Sequence, residues 1–209
     1  MVQDEFKRRL RDEFAMAAVS VFQEIPCVVT DPIVVDLDND GIELTTIENG
    51  VNFDLWATGR AQAISWVHPD DGFLALDRNN NGMIDDGSEL FGNIGEHEDG
   101  IKALAELDSD RNGMIDNSDD LFSELVIWQD TNTDGTSAPN ELISVVGSGI
   151  ILIPLDVPAV ELTSGGNRIV KAAHMLAFDG VLMFGDVNLR TAPHARLTFA
   201  DYGSYVEEE

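Results

Sequence analysis

Asp31 and Pro32 adjoin at the head of a short apolar run, and five residues after their bond an Asp-Leu-Asp-Asn-Asp-Gly segment opens at Asp36. An aspartate carboxylate can attack the adjacent carbonyl carbon while the tertiary proline nitrogen, more basic than an ordinary amide nitrogen, leaves once protonated. A metal-binding loop close by gives such a reaction a control. Alone, an Asp-Pro pair marks a turn or the entry to a strand.

Calcium takes hard oxygen ligands. A loop with side-chain oxygens at positions 1, 3 and 5, glycine at 6 and a main-chain carbonyl at 7 wraps one ion. Four segments carry that core, beginning at Asp36, Asp77, Asp108 and Asp130. The most regular offers Asp130, Asn132, Asp134, the Thr136 carbonyl and Glu141 at position 12 as a bidentate ligand. Two others repeat each other at a 31-residue step. One offers Asp77, Asn79, Asn81, the Met83 carbonyl, Asp85 and Glu89; the other offers Asp108, Asp110, Asn112, the Met114 carbonyl, Asp116 and Asp120. In both, the terminal carboxylate falls one place later than in the EF-hand pattern. The first loop offers Asp36, Asp38, Asp40 and the Ile42 carbonyl but has Ile47 at position 12. Its shell is left to Glu43, Glu48, a distant residue or water. Single Asp/Asn/Gly turns are common, but four in one chain predict three to four bound calcium ions.

Composition points the same way. The 209 residues carry 39 acidic against 12 basic side chains, a formal charge of -27. Such a surface repels nucleic acid and anionic membrane and strains a compact fold unless cations neutralise it. The four histidines are scattered without cysteine partners, which argues against zinc. No phosphate-binding glycine motif and no serine elbow is present. Cys27 is the single cysteine, so no internal disulfide forms. The chain contains no apolar segment long enough to span a bilayer, and a monomer is expected.

The elements that must position these residues follow from the pattern. Residues 4–23 read as an amphipathic helix ended by Pro26, forming an N-terminal arm over residues 1–30 ahead of a module over residues 31–205. Ile33-Val34-Val35 is a short buried strand candidate. Helical stretches are expected at Ser88 to Phe91, Asp99 to Leu107, Ser118 to Trp128 and Asn140 to Val146. Strands follow at 150–153, 160–162, 168–170 and 181–183. The fold class read from this pattern is α+β: EF-hand-like calcium loops with short helices, flanked by small antiparallel sheets.

The segment from Asp31-Pro32 through Asp36-Leu37-Asp38-Asn39-Asp40-Gly41-Ile42-Glu43-Leu44 resembles the start of the self-processing module of iron-regulated Frp-type RTX proteins. Phe53-Asp54-Leu55, Ser65-Trp66-Val67, Asp71-Gly72, Leu76 through Gly92, Trp128-Gln129-Asp130, and Asp179-Gly180 followed by Asp186-Val187 carry the same resemblance over most of residues 31–190. The likeness implies a calcium-triggered cut of the Asp31–Pro32 bond, with Asp31 as nucleophile and Pro32 as leaving group. The resulting Asp31 cyclic anhydride is opened by water or by a lysine of a partner protein, and the protein is secreted or held on a bacterial cell surface. One departure stands out. The segment Asp54-Leu55-Trp56-Ala57-Thr58-Gly59 falls where the family has another loop and has lost two of its three Asp/Asn positions, so no site is expected there. The competing reading is a non-catalytic calcium-dependent structural or adhesion module with an inert Asp-Pro bond.

Overall fold

A strand made of Ile33-Val34-Val35 is apolar at every position and must be covered on both faces. A computed structural model describes residues 31–94 and 97–191 and shows that cover. The arm expected over residues 1–30 and the chain after residue 191 lie outside the described residues.

The strands are β1 (Ile33–Val35), β2 (Val51–Phe53), β3 (Gln62–Ile64), β4 (Gly72–Leu76), β5 (Met114–Asp116), β6 (Leu125–Trp128), β7 (Leu142–Ser144), β8 (Ile150–Pro154), β9 (Ala159–Ser164), β10 (Asn167–Ala177) and β11 (Gly180–Asn188). Nine form one sheet in the order β5-β8-β10-β11-β1-β4-β6-β7, with β9 added to β10, while β2 and β3 pair separately. All of these pairings are antiparallel. The large sheet curls into a half-barrel.

Side chains alternate across a strand, and here both faces are buried. Ile33 and Val35 join Leu74, Leu76, Leu104, Ile127 and Phe184 on one face. Val34 joins Phe73, Trp66, Trp128 and Val187 on the other. Trp66 lies 4.7 Å from Phe73 and 5.3 Å from Trp128, centroid to centroid, at edge-on angles favoured by aromatic quadrupoles.

The α+β expectation is overturned: the fold is mostly β, and of the helices expected around the loops only the one over 99–107 forms an α-helix, a short one. Among the described residues the α-helix is α1 (Gly100–Leu104), capped by the Asp99 carboxylate, which accepts the Lys102 N–H at 2.9 Å. Single 3-10 turns stand at Ile47–Asn49, Gly87–Glu89, Ala105–Leu107 and Phe122–Glu124. The helix expected over 118–128 ends instead in β6, and the one over 140–146 contains β7. Leu125-Val126-Ile127-Trp128 explains the first case. Its β-branched and aromatic side chains alternate between the two cores, a two-residue period that a helix cannot satisfy.

Candidate functional site

The Asp31–Pro32 bond leads into β1, an inner strand paired on both sides, to β11 and to β4. The Pro32 carbonyl accepts the Val187 N–H at 3.0 Å, and the Ile33 N–H donates to the Phe91 carbonyl at 3.2 Å. Asp31 itself is buried, and its Oδ1 accepts the Asn93 N–H at 2.9 Å. Two glycines let backbone close over the bond. A Cβ on Gly100 would stand 2.7 Å from the Asp31 carbonyl oxygen, and one on Gly92 3.6 Å from the Asp31 carbonyl carbon. Burial raises the Asp31 carboxyl to about 6, against the amides of Asn93 and of Asp31 itself, which favour the ionised form.

A second carboxyl shares this enclosure. Asp186 in β11 faces Ile33 across the ladder on one side and Lys171 on the other. It is 0% exposed, and neither oxygen has a hydrogen-bond partner among the described residues. The Gly100 amide comes near and favours its ionised form without reaching bonding geometry. Burial pushes Asp186 up to about 8, the charges of Asp31 and Asp99 add to the rise, and Lys171 opposes it. Lys171 Nζ is 2.5 Å from Asp99 Oδ2.

The four loops share one backbone conformation. Their fourth residues, Asn39, Asn80, Arg111 and Thr133, and their glycines, Gly41, Gly82, Gly113 and Gly135, all have positive φ, which turns amides inward. The first aspartate of each loop accepts those amides. Asp77 takes the N–H groups of Asn81 and Gly82 at 3.2 and 2.7 Å, Asp108 those of Asn112 and Gly113 at 3.1 and 2.9 Å, and Asp130 those of Asp134 and Gly135 at 3.2 and 2.8 Å. Asp36 takes those of Asn39 and Gly41 at 2.8 and 3.0 Å. Asn79, Asp110, Asn132 and Asp38 accept the amide two residues on, and so do Asn81, Asn112 and Asp134. Asp85 accepts the side-chain amides of Asn79 and Asn81, and Asp116 that of Asn112. Asp40 and Asp38 are exposed and stand with Asp36 as a cluster able to hold a cation.

Each loop is closed by a buried carboxylate that accepts amides from its two ends. Glu89 takes the N–H groups of Arg78 and Asp85 at 3.1 and 2.8 Å, and Glu141 those of Thr131 and Ala138 at 3.1 and 3.0 Å. In the third loop that part falls to Asp119, bonded to the N–H groups of Ser109 and Asp116 at 2.7 and 3.0 Å, while Asp120 points to solvent. The first loop is closed by Asp71, which takes the N–H groups of Leu37 and Glu43 at 3.2 and 2.8 Å. The Glu43 side chain turns to His68, 3.5 Å away, and Glu48 is exposed. Among the described residues no lysine or arginine pairs with any loop carboxylate. Asp54, Ala57 and Gly59 repeat the backbone turn, Asp54 accepting the N–H groups of Thr58 and Arg60, each at 3.0 Å, but Trp56 occupies the third position.

Three loops connect to the Asp31–Pro32 bond through neighbouring segments. β1 connects it to the Asp36 loop. Glu89 of the Asp77 loop precedes Phe91 and Asn93, which hold Ile33 and Asp31. The Asp108 loop follows α1, whose Gly100 packs on the Asp31 carbonyl. The Asp130 loop is held by the core, through Trp66 Nε1 donating to Asp130 at 2.8 Å and Ser137 Oγ accepting the Ile84 N–H at 2.6 Å. Pattern reading missed Asp71, Asp119 and Asp186. The signal for Asp186 was a lone acid within the apolar run Val181-Leu182-Met183-Phe184-Gly185-Asp186-Val187.

Residues 33–190 match the SPM domain family, and the chain belongs to it. Over 161 residues, 73% of this chain, it is 40% identical to the iron-regulated protein FrpA of Neisseria meningitidis serogroup C, which establishes an Frp-type relationship. The match spans 14% of that protein's length. Among the described residues no helix is long and apolar enough to cross a membrane.

Proposed function

We propose that the chain is a calcium-triggered self-processing module that cuts its own Asp31–Pro32 bond. The observation that supports this reading best is the hold on that bond. A buried Asp31 carboxyl is fixed by Asn93, and the adjoining Pro32 and Ile33 are pinned by Val187 and Phe91. Such restraint reduces the entropic cost of bringing the carboxylate onto its own carbonyl carbon. An Asp31 oxygen attacks that carbon, the bond to the Pro32 nitrogen breaks, and Asp31 becomes a cyclic anhydride. Water opens it to the free acid, and a lysine amine opens it to an Asp-Lys isopeptide.

Calcium, when bound, supplies positive charge to carboxylates that no lysine or arginine among the described residues neutralises. The first loop would hold it with Asp36, Asp38, Asp40, the Ile42 carbonyl and Asp71. The second would use Asp77, Asn79, Asn81, the Met83 carbonyl, Asp85 and Glu89, and the third Asp108, Asp110, Asn112, the Met114 carbonyl, Asp116 and Asp119. The fourth would use Asp130, Asn132, Asp134, the Thr136 carbonyl and Glu141. The donor sets are all oxygen, which suits a hard cation. Without it the chain expands under its own charge, and calcium at the 0.1–1 mM scale of extracellular modules folds it, consistent with a secreted or surface protein.

The acceptor in this reading is a lysine-bearing partner, since the chain itself offers only Lys7, Lys102 and Lys171, and Lys171 is paired with Asp99. On a denaturing gel, calcium should convert the chain to fragments 1–31 and 32–209, and Asp31→Asn should stay whole because an amide is a far weaker nucleophile. Cleavage of Asp31→Asn at the wild-type rate would rule out the anhydride route.

A further inference from the structure

The proline nitrogen is a poor leaving group until it is protonated, and no group considered above supplies that proton. Asp31 and Ile33 are two residues apart, so their side chains fall on one side of the chain. Asp186 is the direct cross-strand partner of Ile33 and shares that side, which makes it the diagonal neighbour of Asp31, close enough for the Asp31 charge to act on it. The residue after Asp186 binds the Pro32 carbonyl, and the Gly100 amide approaches Asp186 while its Cα abuts the Asp31 carbonyl oxygen. Asp186, Gly100 and the scissile bond therefore lie in one enclosure. Completely buried and with both oxygens unpartnered, Asp186 lacks the stabilisation a buried carboxylate needs.

Resting on the self-cleavage reading, we propose that Asp186 is the general acid that protonates the Pro32 nitrogen. In this step an Asp31 Oδ–C bond forms and the C–N bond to Pro32 breaks, leaving its electron pair on nitrogen. The Asp186 O–H proton passes to that nitrogen, so the products are a neutral anhydride, the secondary amine of Pro32 and an Asp186 carboxylate. Water opening the anhydride releases a proton that restores the acid.

The groups facing Asp186 are Asp31 ahead of β1, Lys171 on β10 and Asp99 at the cap of α1. Burial, with the charges of Asp31 and Asp99 adding and Lys171 opposing, keeps it an acid near neutrality while Asp31 ionises at lower pH, the separated pair that acid–base work requires.

The test is the rate of calcium-induced cleavage of the full chain against pH, for wild type and Asp186→Asn. The wild-type rate should rise as Asp31 ionises near 6 and fall as Asp186 loses its proton near 8. Asp186→Asn should cleave about 100- to 10,000-fold more slowly and lose the alkaline fall. A wild type that cleaves alongside an Asp186→Asn chain of equal rate and unchanged alkaline fall overturns this inference alone. A wild type left whole by saturating calcium overturns the self-cleavage reading and this inference with it. If Asp186→Asn does not regain the wild-type near-ultraviolet circular dichroism in calcium, the wild-type profile decides, and a rate that stays level above pH 8 overturns the proposal.

Discussion

Asp71 accepts the Leu37 N–H at 3.2 Å across 34 residues of chain, and with its other oxygen it takes the Glu43 N–H, so the first loop is closed from the strand beside it. Burial, with the charges of Asp36 and Asp70 adding, raises the Asp71 carboxyl to about 7. An asparagine at this position would offer one acceptor oxygen in place of two. Asp71→Asn should therefore destabilise the calcium-loaded chain by about 1–3 kcal/mol for one orphaned amide and weaken binding at the first loop. Glu48→Gln, at an exposed position, should change stability by less than about 0.5 kcal/mol. Urea unfolding and calorimetric calcium titration in an Asp31→Asn background measure both, and equal effects of the two substitutions would remove Asp71 from the loop.

The third loop gives a sharper contrast between neighbours. Despite opposing burial, the amides of Asp116 and Ser109 hold the Asp119 carboxyl below the usual carboxylate range. Asp119→Asn should lower calcium affinity at that loop and cost roughly 1–3 kcal/mol, whereas Asp120→Asn should do neither. Calorimetric titration of both variants distinguishes them, and a loss confined to Asp120→Asn would restore the position-13 assignment.

Gly100 and Gly92 both cover the bond but differ in room. A Cβ at Gly100 meets the Phe91 carbonyl oxygen at 2.5 Å and the Asp31 carbonyl oxygen at 2.7 Å, both backbone atoms, so the chain must shift. At Gly92 the nearest contact, 3.6 Å, is ordinary packing. Gly100→Ala should cost about 1–3 kcal/mol and slow cleavage at least tenfold by displacing the helix from Asp31, a geometric effect. Gly92→Ala should stay within about threefold of wild type by the same reasoning. Cleavage time courses in saturating calcium decide, and equal rates for Gly100→Ala and wild type would show that close approach of α1 is not required.

The buried carboxyls also set how folding depends on pH. Asp31 and Asp186 have folded pKa values raised above the unfolded 3.8, so between those limits the folded chain binds more protons than the unfolded one and stability falls as pH rises. The contribution is complete below about pH 4 and is lost through about 6 for Asp31 and about 8 for Asp186. Calcium-free protein should gain near-ultraviolet circular dichroism on going from pH 8 to 5, and Asp186→Asn should flatten that response above pH 6. Loss of signal on acidification over this range would contradict the burial argument.

Local chemistry was legible in the sequence where one segment carries the whole instruction. The loops beginning at Asp36, Asp77, Asp108 and Asp130 turn at the glycine each motif supplies, and Ile33-Val34-Val35 is the doubly buried strand its apolar run implies. Closure was not legible, because it depends on reach. The 31-residue step aligns Asp120 with Glu89, but Asp119, a residue earlier, meets the amides. Asp71 closes its loop through the pairing of β1 with β4, a tertiary event invisible to spacing. The fold class failed for a related reason. Residues after the second, third and fourth loops looked helical, while Leu125–Trp128 was already committed to a sheet by its alternating cores.

The most direct measurement is intact-mass analysis of the full chain after calcium addition in the presence of a small primary amine. The self-processing account predicts a fragment beginning with a free Pro32 amine and a fragment ending at Asp31 in two forms, the free acid and the amine adduct, the latter heavier by the amine less one water. The adduct should rise with pH toward the amine's pKa, about 10.4 for a lysine-like group. A single species of uncut mass at saturating calcium would contradict the account.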